Sequence, residues 1–408
     1  MNAKTGNIIL IGMIAGAVLG ALGGYYLPDF FLHLEFLGTM FLNALKMVVV
    51  PLIVASMIVG VTSIGDIRKL GRTTGKTFLY YLVTTGFSVL IGLIMVNLIQ
   101  PGVGVEFFGT ELPEQVAQAQ QRTLMDVVTG LIPSNIVSSA AQGDILPLIV
   151  FSLLFGAVLS AIGEKGKPVI AFFEGVNIAI MKIVVIVIYF APVGILAIIG
   201  NIVADNHDSI ETIVTGLAWY MVAVLVGLII HAFVTLPLIL KYFGKKKPLQ
   251  YALNMGPALA TAFSTASSSA TLPLTMELVE KENKVDRRAA SFVLPLGATI
   301  NMDGTAMYEA VAALFIAQVY GVDLGIGQQI VIFLTATLAS IGAAAIPHAG
   351  TVMMVIVLSA VGLPLEGIGL IWAVDWFLDR CRTTVNVWGD SVGAGVIGTT
   401  FGTGDDRT

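Results

Sequence analysis

Sixteen residues near the C-terminal end, "DWFLDRCRTTVNVWGD" (375–390), hold three carboxylates and two arginines in a chain otherwise poor in charge. At about 100° per residue on a helix, Asp375, Asp379, Arg382, Thr383, Asn386 and Asp390 fall within roughly a 100° arc, while Arg380 points aside. The types along this stripe are complementary to a small zwitterion. Arg382 presents a planar fork matched to a carboxylate. Asp379, one turn earlier, can hold an ammonium. Asn386 and Asp390 are hard oxygen donors suited to a small cation. An amino acid with an acidic side chain carries the matching groups. The alternative is a salt-bridge network that packs one helix on another, and Asp375 and Arg380 fit that reading best.

Three further motifs carry polar groups into apolar surroundings. "NMDGT" (301–305) supplies Asn301, Asp303 and Thr305. Gly297 and Gly304 permit an unwound backbone there, whose freed carbonyls can bind sodium; a glycine kink capped by Asn and Asp is the alternative. In "SSSATLP" (267–273) small hydroxyl residues precede Pro273 near the start of a half-helix, where backbone amides attract carboxylates. The alternative is a tight turn with no ligand. Glu309 follows beside Tyr308; a buried glutamate can carry a proton, or it can be a paired structural carboxylate. His33, His207, His231 and His348 share no ligand spacing, and only His348 is expected near this group, without a role. A lone Cys381 forms no internal disulfide, and no metal-ligand cluster of the zinc type is legible. No nucleophile–base set suggests an enzyme.

These motifs must be held by membrane helices. The 408 residues are 56% hydrophobic and 12% charged, with mean hydropathy +0.91, against about 25% charged in soluble domains. Runs such as 7–26 and 78–98 are long enough to span a bilayer. The first run is expected to be a retained span and not a cleaved signal peptide. The net charge of −5 has no acidic or basic block behind it, so no nucleic-acid partner is expected.

Loop charges alternate. Arg68, Lys69, Arg72 and Lys76, then Lys165 and Lys167, then Lys241 and Lys245–Lys247 mark one side. Asp29 and Glu35, then Glu106, Glu111 and Glu114, then Asp205, Asp208 and Glu211 mark the other, with Arg122 the exception. This fits six spans, near 7–26, 37–64, 78–99, 135–162, 169–203 and 212–241, with both ends of the set inside. Beyond Lys247 the regular pattern fails. Residues 249–281 begin and end beside basic clusters and carry a polar middle, with arms of about a dozen residues, roughly 18 Å of helix, short of a ~30 Å core. A re-entrant hairpin with its tip buried in protein satisfies this. Residues 324–365 lack Asp, Glu, Lys and Arg and are interrupted at "SIGAAAIPHAG" (340–350), a second hairpin entering from the opposite side. A broken span (289–320) lies between them. This is an inverted-topology repeat, with sites expected where broken elements meet at midplane.

The combination "SSSATLP", "GATINMDGT", "SIGAAAIPHAG" and "VDWFLDRCRTTVNVWGDS", together with "LKMVVVPLIVASMIVGV" (45–61), resembles the dicarboxylate/amino acid:cation symporter family over nearly the whole chain. That family includes the excitatory amino acid transporters and their prokaryotic homologues. The resemblance implies an all-α polytopic membrane protein of eight transmembrane helices and two re-entrant helical hairpins, working as an elevator in a homotrimer. The implied division is scaffold helices in 1–65 and 126–205. Transport-domain helix 3 and an outer loop would occupy 66–125, and the remaining transport elements 206–408. The second hairpin would be the extracellular gate. Location would be the inner or plasma membrane, multi-pass, with both termini cytoplasmic.

By motif, Arg382 would bind the side-chain carboxylate and Asp379 the amino group of glutamate or aspartate. Thr305, Thr383 and Asn386 would complete the pocket, with backbone of Ser268, Ile346 and Gly350. Sodium ions, the co-transported ligands, would use Gly297, Asn301, Asn386 and Asp390; then Tyr81, Thr84, Thr85 and Asp303; then Thr299, Ser340, Ile341 and Ala343. No covalent cofactor is implied. Arg382 favours acidic over neutral substrates. Arg380 would supply a charge that archaeal aspartate transporters place on the first hairpin, where this chain has Ala266. Glu309 matches the excitatory transporters, in which that position serves proton co-transport and potassium counter-transport. A proton-driven glutamate/aspartate or C4-dicarboxylate carrier is the rival within this class, and an anion-selective channel the rival outside it.

Overall fold

The computed structural model describes residues 3–63, 71–105, 125, 129–342 and 349–401. Every regular element among them is helical, as expected for a chain whose backbone must satisfy its own hydrogen bonds in lipid. Among the described residues, Pro28–Thr62, Gly75–Ile99, Lys167–Tyr189 and His207–Tyr242 are each helical, long and apolar enough to cross a bilayer. The chain is a membrane protein.

The first half comprises α1 (Ala3–Tyr26), short α2 (Pro28–Leu32), α3 (Glu35–Ser63), α4 (Gly71–Ile99), α5 (Ile136–Gln142), α6 (Ile145–Ala161), α7 (Lys167–Tyr189) and α8 (Ala191–Asp205). α1 lies along α8 because Gly12, Gly16, Gly20 and Gly24 recur every fourth residue on one face. A side chain at Gly16, Gly20 or Gly24 would run into backbone of Pro192, Leu196 or Gly200. α3 packs on α6, α7 and α8. Two expected spans are each divided. The 135–162 stretch breaks at Gly143, whose φ of 73° ends α5, with Asp144 leading into α6. The 169–203 stretch breaks at Phe190, because Pro192 has no N–H to continue the ladder and fits the first turn of a new helix.

The second half begins with α9 (Ile210–Ile230), which runs through a π-helical turn (His231–Thr235) into α10 (Leu236–Tyr242). There the N–H of Leu236 reaches back to the His231 carbonyl. Pro237, one residue on, has no N–H to donate to Phe233, and the widened turn accommodates that loss. α11 (Pro248–Thr265) and α12 (Ser268–Lys281) pack as a hairpin. Ala266 makes the tip turn at φ 47°, and the Ser267 hydroxyl caps α12 by accepting from the Ala270 N–H at 3.3 Å. The arms have 18 and 14 residues. At about 27 and 21 Å they are longer than the expected dozen-residue arms, yet short of a ~30 Å core. Lys246 ties the base of the hairpin by donating to the carbonyls of Asn283 and Lys284 at 3.0 and 3.2 Å.

α13 (Arg287–Ile300) stops at Asn301 and Met302, and α14 (Asp303–Val319) resumes. α15 (Ile326–Ala339) and α16 (Ala349–Ala360) pack on each other, with a 3₁₀ turn (Ser340–Gly342) closing α15. α17 (Ile368–Gly398) carries the polar stripe and packs on α9, α11, α13 and α14. α4 lies along α14. Apart from Gln318, every residue of α14 is buried, which places the broken stretch at the centre of the second half.

Candidate functional site

The polar face of α17 meets the break between α13 and α14. Asn301 and Met302 leave the helical conformation, so backbone and side chains here turn to α17 and α4. The Gly304 N–H donates to Asn386 Oδ1 at 2.8 Å. Asn386 Nδ2 donates to Thr305 Oγ1 at 3.2 Å. A Cβ at Gly304 would stand 2.8 Å from the Arg382 carbonyl oxygen, so this close helix approach requires glycine.

Arg382 is fully buried. Its Nη2 donates to Asp379 Oδ1 at 2.8 Å and reaches Asp375 Oδ1 at 3.0 Å. The Tyr308 ring lies beneath the guanidinium, with its centroid 3.7 Å from Cζ, a cation–π contact that steadies the plane. The Tyr308 hydroxyl donates to Asp375 Oδ1 at 2.7 Å. Nε and Nη1 of Arg382 have no partner among the described residues. A buried donor left unmatched costs about 1–3 kcal/mol. Nη1 faces the start of α16, where a Cβ on Gly350 would lie 3.0 Å from it and 3.1 Å from Thr305 Cγ2. A carboxylate brought between these groups would satisfy both donors. An ammonium on the same molecule would compete for Asp379, which already holds charge of the right sign.

The rest of the expected pocket is distributed around this point. Thr383 is buried and donates to the Asp379 carbonyl at 2.8 Å. Ser268 is buried in the first turn of α12. Ile346 and Ala343 lie outside the described residues. Asp375 is part of the guanidinium's ion pairing. Arg380 is half-exposed and donates to the Trp376 carbonyl at 2.7 Å. It points along its own helix, and no contact among the described residues brings it to Arg382.

One turn further along α17 lies a cluster of hard oxygens. Asp390 is buried and accepts from Asn301 Nδ2 at 2.9 Å. A Cβ on Gly297 would collide with Asp390 Oδ1 and sit 2.6 Å from the Tyr81 hydroxyl. Thr84 Oγ1 lies 3.5 Å from Asn301 Oδ1. Thr85 donates to Asp303 Oδ1 at 2.7 Å. The first two expected cation sets are therefore contiguous, joined through Asn301. Two buried carboxylates, hydroxyls and an amide, with no lysine or arginine paired to Asp303 or Asp390 among the described residues, form a donor set suited to a small hard cation. In the third set, Ser340 and Ile341 are buried in the turn that packs on α13. The hydroxyls of Thr299 and Ser340 donate to their own helices, at Leu296 and Thr337.

Two groups exceed what the spacing revealed. His231, to which no role was assigned, places Nε2 3.0 Å from Asp303 Oδ2, and both side chains are fully buried. His348, expected to be the only histidine near the site, falls outside the described residues. Glu309 is fully buried on α14, one turn beyond Thr305, and neither carboxyl oxygen has a partner among the described residues.

The comparisons agree with this architecture. The model of the sodium:dicarboxylate symporter family matches residues 7–400. The chain is 41% identical to excitatory amino acid transporter 3 of Homo sapiens, over 96% of this chain and 85% of that relative. It is 39% identical to an excitatory amino acid transporter of Caenorhabditis elegans, over 96% and 87%. A family match over residues 7–400, with relatives near 40% identity along nearly the whole chain, makes the chain a member of the sodium:dicarboxylate symporter family.

Proposed function

We propose that the chain is a secondary active symporter that takes up glutamate or aspartate on a sodium gradient. One observation carries the reading. A fully buried guanidinium keeps two donors unmatched beside Asp379, on the helix whose next turns carry Asn386 and Asp390 to the oxygen cluster. In this reading Arg382 takes the side-chain carboxylate and Asp379 the ammonium. Thr305, Thr383 and Asn386 line the pocket with backbone from Ser268, Ile346 and Gly350. Sodium occupies the two contiguous oxygen sets and a third at the Ser340 turn. Asn386 touches Met302, Gly304 and Thr305 of the break that also carries Asn301 and Asp303, so substrate and sodium stabilise one arrangement of the break.

The packing supports a division into scaffold and transport parts. α1, α3, α6, α7 and α8 pack among themselves, while α4 and α9 to α17 surround the site. The second hairpin touches both, since the Ile341 carbonyl lies 3.2 Å from where a Cβ on Gly60 of α3 would stand. That contact fits a gate that rides with the moving part of an elevator. α7 is apolar yet scarcely buried within one chain, as a homotrimer contact would require. The basic loops favour a multi-pass protein of the inner or plasma membrane with both termini on the cytoplasmic side. Glu309 favours proton co-transport with potassium counter-transport, because it is a buried carboxyl beside the site with no partner among the described residues.

The test is uptake of labelled aspartate into proteoliposomes with imposed gradients. Uptake should collapse without the sodium gradient. Uptake driven equally by protons alone would overturn sodium coupling, and flux without saturable counterflow would point to a channel.

A further inference from the structure

His231 lies outside the polar helix and outside every motif, yet its ring touches the most buried carboxylate of the cation cluster. We infer that His231 is a positioning residue for sodium: it fixes the Asp303 carboxylate and ties sodium occupancy to the α9–α10 helix. This rests on the sodium-coupled reading above.

The geometry is specific. Asp303 is the first residue of α14 after the break, and it is held at both oxygens. Thr85 of α4 donates to Oδ1 at 2.7 Å, and His231 Nε2 stands 3.0 Å from Oδ2. Since a carboxylate accepts, the Nε2 position carries the hydrogen. Ser88 of α4 adds a bond to the Asp303 carbonyl at 2.8 Å. On the remaining side Gly389 leaves the space open: a Cβ there would stand 3.1 Å from Asp303 Oδ2 and 2.9 Å from Asn301 Nδ2. The carboxylate is thus fixed in rotation from two helices, on the same side of Gly389 as the Asn301 amide. A ligand fixed this way does not have to be ordered when the cation arrives.

The helix that carries His231 is irregular at that residue. The π turn begins at His231, and such turns are frequent at functional sites. The Ala232 carbonyl within the turn accepts from Trp388 Nε1 of α17 at 3.0 Å. The same turn therefore contacts Asp303 on one side and the helix bearing Asp390 on the other. A regular α-helix would move both contacts. A histidine that only packed α9 on α14 would not need a hydrogen-bonding edge on a buried carboxylate.

The experiment uses purified full-length protein without substrate and follows thermal unfolding against NaCl, with choline chloride holding ionic strength. Bound sodium raises the unfolding temperature. His231→Ala should move the sodium midpoint upward by about ten- to hundred-fold, the usual cost of removing a partner that orients a metal ligand. His231→Gln, which keeps an N–H donor, should recover most of the shift. In an Asp303→Asn background, His231→Ala should add no further shift. A folded His231→Ala protein with an unchanged midpoint would overturn the inference. So would a full shift in the Asp303→Asn background, because His231 would then act elsewhere. If the alanine variant does not fold, His231→Gln with a wild-type midpoint beside His231→Asn with a raised one supports the inference, and equal midpoints overturn it. Wild-type protein indifferent to sodium overturns the sodium reading itself, a separate outcome.

Discussion

Arg382 carries one positive charge between Asp375 and Asp379, and all three are buried. Removing the guanidinium takes the paired positive charge from two buried carboxylates and deletes the only paired fork described at the break. Breaking a buried ion pair costs about 3–5 kcal/mol, or two to three and a half powers of ten in an equilibrium constant. Arg382→Cys should therefore lose acidic substrate uptake by at least about a hundred-fold and gain neutral amino acid uptake. An unchanged aspartate affinity in a binding titration would remove Arg382 from its proposed role. Glu309 asks a different question. Its oxygens find no partner among the described residues, so replacing them with an amide breaks no described contact. Glu309→Gln should abolish the pH dependence of net uptake while leaving sodium-dependent exchange. An identical pH profile in the variant would return Glu309 to a packing role.

At the scale of elements, the break between α13 and α14 holds the site, and glycine decides how closely its neighbours approach. Gly297 has Asp390 Oδ1 and the Tyr81 hydroxyl within reach of any added Cβ. Gly297→Ala should weaken sodium-dependent stabilisation, through an overpacking cost of about 1–3 kcal/mol, and a melting curve against sodium reads it directly. Much of this was legible in order of residues. The stripe from Asp375 to Asp390 follows from helical periodicity alone, and the "NMDGT" break from two glycines in an apolar run. Hairpin one was legible because basic clusters flank a polar tip. What periodicity cannot show is contact between distant elements. His231 reaches Asp303 across 72 residues through a π turn, and a 3.6-residue repeat carries no trace of that. Tyr308 beneath Arg382 is similarly invisible, because its neighbour in sequence, Glu309, drew the chemical reading. The 169–203 stretch failed for a smaller reason: unbroken hydropathy concealed the missing N–H of Pro192.

Taken whole, the molecule places its site on helices that touch α3 through the second hairpin and the last helix. An elevator requires that contact to slide. Gly60 on α3 and Ile341 on the hairpin turn meet closely, with the Ile341 carbonyl 3.2 Å from the Gly60 Cβ direction. Cys381 is the sole cysteine of the chain, so a Cys381→Ser background leaves no competing thiol. Gly60→Cys with Ile341→Cys in that background should be bridged by mercuric ion or a short bifunctional reagent. Bridging should stop net uptake, and thiol treatment should restore it. Stabilisation by sodium at the first two sets should persist, because neither contains Gly60 or Ile341 and binding there needs no passage across the membrane; only the third set, which includes Ile341, is altered by the bridge. Loss of uptake with retained sodium response separates arrested motion from a damaged site. Full uptake by completely bridged protein would mean that α3 and the hairpin move together, and the elevator assignment would fall while the binding chemistry at Arg382 stood.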